Sequence, residues 1–316
     1  MEGAAKGSRS RKIDLSKMTT FFVLIGMCVI LSFASKYFLT YNNLINVIAQ
    51  VTVNAVVAVG MTFVILTGGI DLSVGSMLAL SGIVMGMLMK AGMPVAVALL
   101  AALLVGLILG TINGLLVTVG KLPPFIASLG MMNIARAASL IISKGGNMSS
   151  FPKSFIWIGV GKVFGIPVQV VFMLILYVIA FYVLRYRKVG RYIYAIGGNK
   201  EATRLSGINV KLYEATAYVV SGMTAALAAI ILTAKLNAAQ PMAGVNYELD
   251  AVAATVIGGT SLTGGVGSIW GTILGAIIIG VIRNGLNLLN ANSYLQQGII
   301  GFVIILAVLL DVFKKK

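Results

Sequence analysis

The sequence predicts an all-α polytopic membrane protein of about ten transmembrane helices, one of them short or broken, with both chain termini in the cytoplasm. Three observations carry that prediction. Of 316 residues, 59% are hydrophobic and only 10% charged, against roughly 25% charged in an ordinary soluble domain. Apolar runs of about 20 residues, the length that crosses a bilayer as a helix, recur from end to end. Finally, the basic residues gather in three clusters, and the number of runs between successive clusters is even each time.

The runs lie near 20–39, 44–67, 72–90, 94–119, 123–143, 166–184, 213–234, 249–263, 266–284 and 294–313. The first is too long for a cleavable leader and lacks a small-residue cleavage pattern behind it; Lys36 and Tyr37 end it as an interfacial anchor. The eighth is interrupted by Gly258 and Gly259, so a broken or re-entrant helix is expected there. Lys6, Arg9, Arg11, Lys12 and Lys17 precede the first run, seven basic residues lie between Arg185 and Lys211, and Lys314, Lys315 and Lys316 end the chain. Lys and Arg concentrate on the cytoplasmic side. Six runs separate the first two clusters and four more precede the third, so one side holds all three. The implied organisation is a basic cytoplasmic tail (1–19), one transmembrane domain (20–313) with a cytoplasmic loop (185–212), and a short cytoplasmic tail (314–316). The net charge of +16 thus follows topology, and no nucleic-acid partner is expected.

Several chemistries are excluded. With no histidine, imidazole zinc sites and serine–histidine triads are impossible. Cys28, the only cysteine, reads as a small apolar packing residue, and no metal site is expected. The acids are Glu2, Asp14, Asp71, Glu201, Glu214, Glu248, Asp250 and Asp311, and none is expected near the bilayer midplane, where an ion-coupled carrier needs one. Asp71 alone is deep enough to consider, and Asp71-Leu72-Ser73 also fits a helix N-cap. The pairs Gly120-Lys121 and Gly161-Lys162 lack the remainder of a phosphate-binding loop, so the chain does not hydrolyse ATP and carries no cofactor.

Glycines four apart (Gly82/Gly86, Gly106/Gly110/Gly114, Gly271/Gly275) predict close helix crossings. Asn46, Gln50 and Asn54 form a stripe down one face of the second run. Amides in hydrocarbon cost several kcal/mol when unpaired, so this stripe faces either other helices or a watery path. Asn113, Asn133, Arg136, Asn284 and Asn287 add polar groups inside apolar runs. Asn46, Gln50, Asn54, Asp71, Asn113, Asn284 and Asn287 are the candidates for a translocation path, and neutral amides suit an uncharged, hydroxyl-rich solute. LTGGIDLSVGS (66–76) and LTGGVGSIWGT (262–272) share a Leu-Thr-Gly-Gly turn, and corresponding glycine-interrupted segments often flank a transport path.

The loop between the sixth and seventh runs holds GRYIYAIGGNKEATRLSGI (190–208). Asn199 can cap a short helix, Glu201 sits in its first turn, Arg204 near its end, and Gly207 supplies a left-handed C-terminal residue. Ala202 and Leu205 share one face. A plain connector needs a handful of residues, and a membrane-surface anchor needs a wider apolar face. A two-turn helix bracketed by Gly197-Gly198 and Gly207 suits insertion into a groove on a partner.

VGMTFVILTGGIDLSVGSMLALSG (59–82), GRYIYAIGGNKEATRLSGI (190–208), AAQPMAGVNYELDAVAATVIGGTSLTGG (238–265) and RNGLNLL (283–289) closely resemble the ribose-type branch of ATP-binding-cassette sugar importer permeases. The resemblance runs from about residue 20 to the C-terminus. It implies a type II-like importer fold in the bacterial cell (inner) membrane, with a second permease copy as homodimer partner. It also implies a separate ATP-binding subunit that carries ATP and Mg, and an extracytoplasmic sugar-binding protein. Carried onto this chain, the coupling segment that docks on the ATPase is Gly197, Gly198, Asn199, Glu201, Ala202, Arg204, Leu205 and Gly207. The implied cargo is a monosaccharide, ribose or a related sugar. The competing readings are an ATP-independent sugar or polyol facilitator or channel, and a structural or signalling membrane subunit.

Overall fold

A computed structural model describes residues 15–313; most of the N-terminal basic cluster and the three C-terminal lysines lie outside the described residues. All ten apolar runs fall on helices. In chain order these are α1 (Leu15–Ala34), α2 (Tyr41–Leu66), α3 (Val74–Lys90), α4 (Val95–Thr118) and α5 (Pro124–Ser143). After a short strand β1 (Met148–Ser149) come α6 (Lys153–Val160), a hairpin of β2 (Lys162–Val163) and β3 (Ile166–Pro167), and α7 (Val168–Tyr186). The chain continues through α8 (Lys188–Gly198), α9 (Lys200–Leu205), α10 (Val210–Leu236), β4 (Ala238–Ala239), α11 (Tyr247–Ile257), α12 (Ile269–Leu288) and α13 (Ser293–Phe313). Among the described residues, six helices are long and apolar enough to cross a membrane: α2, α4, α5, α7, α10 and α12.

Local sequence sets the boundaries. Gly68, at φ +83°, turns the chain after α2, and Pro124 opens α5 where a missing N–H costs nothing. Asn237, at φ +48°, closes α10 in the left-handed conformation that asparagine tolerates. α11 stops after 11 residues because Gly258 and Gly259 turn away, the latter at φ +88°. The eighth run is therefore a short helix followed by an irregular turn, as its glycines imply.

α2 is buried almost continuously from Val51 to Leu66 and packs with α10 at the centre of the bundle. The glycine stripes make the tight crossings. A Cβ at Gly106 would collide with the carbonyl of Gly222, one at Gly110 with that of Tyr218, and one at Gly114 with Ala215, so α4 lies backbone to backbone on α10. Gly271 and Gly275 do the same for α12 against the carbonyls of Gly258 and Ala254 in and after α11, and Gly82 and Gly86 bring α3 against Thr233 and Ala239. Cys28 is half-buried among the apolar residues packed on the core.

Residues 144–167 carry more structure than the sequence reading assigned to them. β1 pairs antiparallel with β4, and α6 buries Phe155 and Gly159, the latter against the backbone at Ala234 and Lys235. Burial of this cover rests on Phe151, Phe155 and the close-approach Gly159, too short a pattern to show a helical period.

Candidate functional site

The segment from Arg187 to Asn209 forms two helices at an angle. α8 is strongly amphipathic, burying Gly190, Ile193 and Ile196 and leaving Arg187, Lys188 and Arg191 exposed. Extended backbone at Asn199 ends α8, and the Asn199 side chain accepts the Ala202 N–H at 2.8 Å to start α9. Gly207, at φ +78°, stops α9. The cap, the acid in the first turn and the left-handed glycine thus sit where the sequence reading expects them. The glycines that bracket it on the other side, Gly197 and Gly198, form the last turn of α8.

α9 projects from the bundle. Ala202 is exposed, and Leu205 retains 74% of its surface, a large value for leucine. Glu201 and Arg204 pair on its outer face at 2.5 Å, and the hydrogen bond from Arg204 holds the Glu201 carboxyl below its ordinary range. Underneath, Thr203 is buried, and Lys200 reaches the buried Glu214 of α10 at 2.7 Å. Tyr192 of α8 meets Tyr213 edge-on, with ring centroids 4.7 Å apart. The knob is therefore exposed at its tip and fixed at its root.

Gly197 carries that fixation into the bundle. It lies against the Leu66 carbonyl at the end of α2 and against Gly264 and Gly265 of the turn before α12. The two Leu-Thr-Gly-Gly turns also touch each other, with Gly265 N–H donating to Leu66 O at 3.0 Å. From the same side of α8, the Tyr194 hydroxyl donates to Gly267 O at 3.0 Å. One helix thus clasps the ends of α2 and of the α11–α12 turn at once. The internal similarity between residues 66–76 and 262–272 reflects two turns that meet.

The structure divides the seven path candidates. Asn46 and Gln50 are exposed on α2. Asn54, two turns beyond Asn46 and midway along α2, donates to Asp250 Oδ2 at 3.0 Å. Asp71 and Asn113 instead share a closed, buried cluster: Asp71 accepts from Ser73 Oγ at 2.5 Å, Ser73 N–H at 3.0 Å and Ser221 Oγ at 2.7 Å, while Asn113 donates to Ser73 Oγ at 2.9 Å. Asp71 accordingly fixes the turn ahead of α3, close to the capping role, although Ser73 is the residue at the N-cap position. Asn284 exchanges two amide bonds with Asn43, at 2.8 and 3.0 Å, and Asn287 accepts from Gln296 at 2.7 Å.

One expectation is corrected by this packing. No acid was expected level with the middle of a spanning helix, yet Asp250, 2% exposed, packs beside Asn54 and accepts two bonds from Arg283 Nη2 of α12 at 2.7 and 2.9 Å. Read along the chain, Asp250 opens a run and looks like a span end. In the fold, Arg136 of α5 holds the backbone of the segment before α11 by donating to Pro241 O and Ala243 O at 2.6 and 2.8 Å, and Asp250 in the first turn of α11 is buried.

Spanning-length apolar helices, glycine-packed crossings and a rooted, exposed knob define a polytopic membrane protein. Residues 43–308 match the family described as the branched-chain amino acid transport system permease component, and the chain belongs to that family. It is similar to the ribose import permease protein of Escherichia coli strain K12, 46% identical over 304 residues and 95% of each chain. It is equally similar to that of Bacillus subtilis strain 168, 46% identical over 299 residues, 94% of this chain and 93% of the relative. The D-allose transport system permease protein of Escherichia coli strain K12 is 43% identical over 297 residues, 93% of this chain and 91% of the relative. No solved structure matches the chain. The protein is a multi-pass protein of the bacterial inner membrane.

Proposed function

We propose that this chain is the membrane-spanning subunit of an ATP-driven importer that carries a monosaccharide, ribose first among the candidates, into the cell. The identity to ribose import permeases supports the cargo, with an allose permease only slightly more distant. In this reading the chain crosses the membrane ten times with both ends in the cytoplasm. Two copies pair, an ATP-binding subunit holding ATP and Mg sits beneath them, and a soluble sugar-binding protein delivers the cargo from outside. The chain itself catalyses no reaction.

The observation that carries the proposal is the rooted knob. α9 exposes Ala202 and Leu205 for a partner's groove, while Lys200–Glu214 and the buried face of α8 keep it from moving alone. A displacement of α9 by a partner must therefore pass along α8 to Gly197 and Tyr194, and from there to the ends of α2 and the turn before α12. Those two helices also carry Asn54 and Arg283, so force applied at the knob reaches the polar seam through rigid elements. The path follows the α2 face of Asn46, Gln50 and Asn54. Asp71, Asn284 and Asn287, each bonded within the bundle, serve its scaffold, as does Asn113, whose amide nitrogen bonds Ser73 in the enclosed Asp71 cluster.

Charge reversal at Glu201 (Glu201→Arg) or bulk at the knob (Ala202→Trp) tests the assignment. Both variants insert and fold, and both lower sugar-stimulated ATP hydrolysis in the reconstituted complex. Sugar uptake that continues unchanged with the knob altered and ATP depleted would instead identify an ATP-independent facilitator.

A further inference from the structure

A carboxylate, a guanidinium and an amide meet where α2, α11 and α12 converge, and three features distinguish them from an ion pair held for stability alone. First, hydrogen-bonding capacity is left over: Asn54 Oδ1 and Arg283 Nε are buried with no partner in the protein. A buried pair that only braces helices satisfies its remaining donors and acceptors. Second, the cluster opens outward. The Arg283 side chain keeps 36% of its surface, and Gln50, one turn along α2 from Asn54, is exposed. Gln50, Asn54, Asp250 and Arg283 line one cleft of about 30 Å³, room for a water-sized group and not for a sugar ring. Third, the charges of Asp250 and Arg283 cancel. What the cleft presents is a set of planar donors and acceptors with no net charge, which neither concentrates nor repels ions.

We propose that Gln50, Asn54, Asp250 and Arg283 form a solute-contact site that reads neighbouring hydroxyls on one edge of an uncharged polyol. A planar guanidinium and two amides span adjacent hydroxyls as they span other paired oxygens. The ring stays outside against Gln50 while one hydroxyl enters the cleft and meets Asn54 Oδ1 and the Arg283 fork. The site rests on the sugar-permease reading and deepens it by assigning selectivity to the membrane chain as well as to the soluble binding protein.

The test is uptake by the full chain, reconstituted with its ATP-binding and sugar-binding subunits, of ribose, allose and ribose analogues lacking one hydroxyl each. Gln50→Leu sits on an exposed position and does not threaten folding. Arg283→Lys keeps the charge beside Asp250 but loses the planar fork. Each variant, normalised to assembled complex by co-purification, lowers ribose uptake about tenfold. Each also narrows the gap between ribose and one particular deoxy analogue, because the contact to that hydroxyl is already gone. Uptake per assembled complex that keeps the wild-type rate and the wild-type ranking of sugars overturns the site and leaves the importer reading standing. Failure of the wild-type complex to accumulate any of these sugars overturns the importer reading itself, and the site with it.

Discussion

Two adjacent glycines should respond in opposite ways to the same substitution. In Gly197→Ala the new methyl meets the Leu66 carbonyl and the backbone at Gly264 and Gly265, while in Gly198→Ala it meets nothing within 4 Å. The new methyl would lie 2.0 Å from the Leu66 oxygen and ordinary carbon contacts sit near 3.5 Å, so α8 must retreat from the clasp by roughly 1.5 Å. Overpacking against immovable backbone costs about 1–3 kcal/mol. Losing the Tyr194–Gly267 hydrogen bond as α8 withdraws adds about 1 kcal/mol, and alanine's helix preference returns up to ~1 kcal/mol. The net, about 2 kcal/mol, shifts the docked-to-undocked ratio of α8 roughly thirtyfold. Gly198→Ala keeps the helix preference without the collision and should be neutral or slightly stabilising. Amide hydrogen exchange read at residues 264–267 should rise in Gly197→Ala and stay at wild-type level in Gly198→Ala, and sugar-stimulated ATP hydrolysis should fall only in the former. Equal behaviour of the two variants in both assays would refute the clasp as the joint between knob and bundle.

Other consequences are as specific. Asn199→Ala removes the cap on Ala202 N–H and should destabilise α9 by about 1 kcal/mol, seen as faster exchange at residues 201–206; Asn199→Asp should restore protection. The carboxyl of Glu201 titrates below its ordinary 4.5 because Arg204 bonds its charged form. A depressed pKa contributes stability above the unfolded value that is lost only as pH falls through the folded one. The α9 ion pair should therefore persist unchanged from neutral pH down past pH 5 and break only below 4.5, which carboxyl chemical shifts would report. Asn284→Ala should lower stability by about 1 kcal/mol, by orphaning Asn43, while leaving the ranking of transported sugars unaltered, as expected of a scaffold pair.

Much of this was legible in the residues, for identifiable reasons. Spanning helices announce themselves because hydrocarbon demands long apolar runs, and the glycine stripes announce crossings because only a missing side chain lets backbones approach. The α9 cap was readable since its signals are local: Asn199, Glu201 and Gly207 act within one or two turns. Partners brought together by the fold were not. Asn284 reads as a lone polar residue until Asn43, 241 positions earlier, is placed opposite it. Asp250 looks like the edge of a span until the fold sets it between Asn54 of α2 and Arg283 of α12. Gly197 and Gly198 look alike in sequence because nothing local shows that one faces two turns and the other faces solvent.

Accumulation against a gradient tests the central claim most directly. Vesicles containing this chain, its ATP-binding subunit and the sugar-binding protein are loaded with labelled ribose on the binding-protein side, with and without ATP on the opposite face. ATP coupling through α9 predicts that the sugar rises above its outside concentration only with ATP, and that Glu201→Arg abolishes the rise while the chain remains inserted. Equilibration to the outside concentration at the same rate without ATP, and in Glu201→Arg as in the wild type, would contradict it.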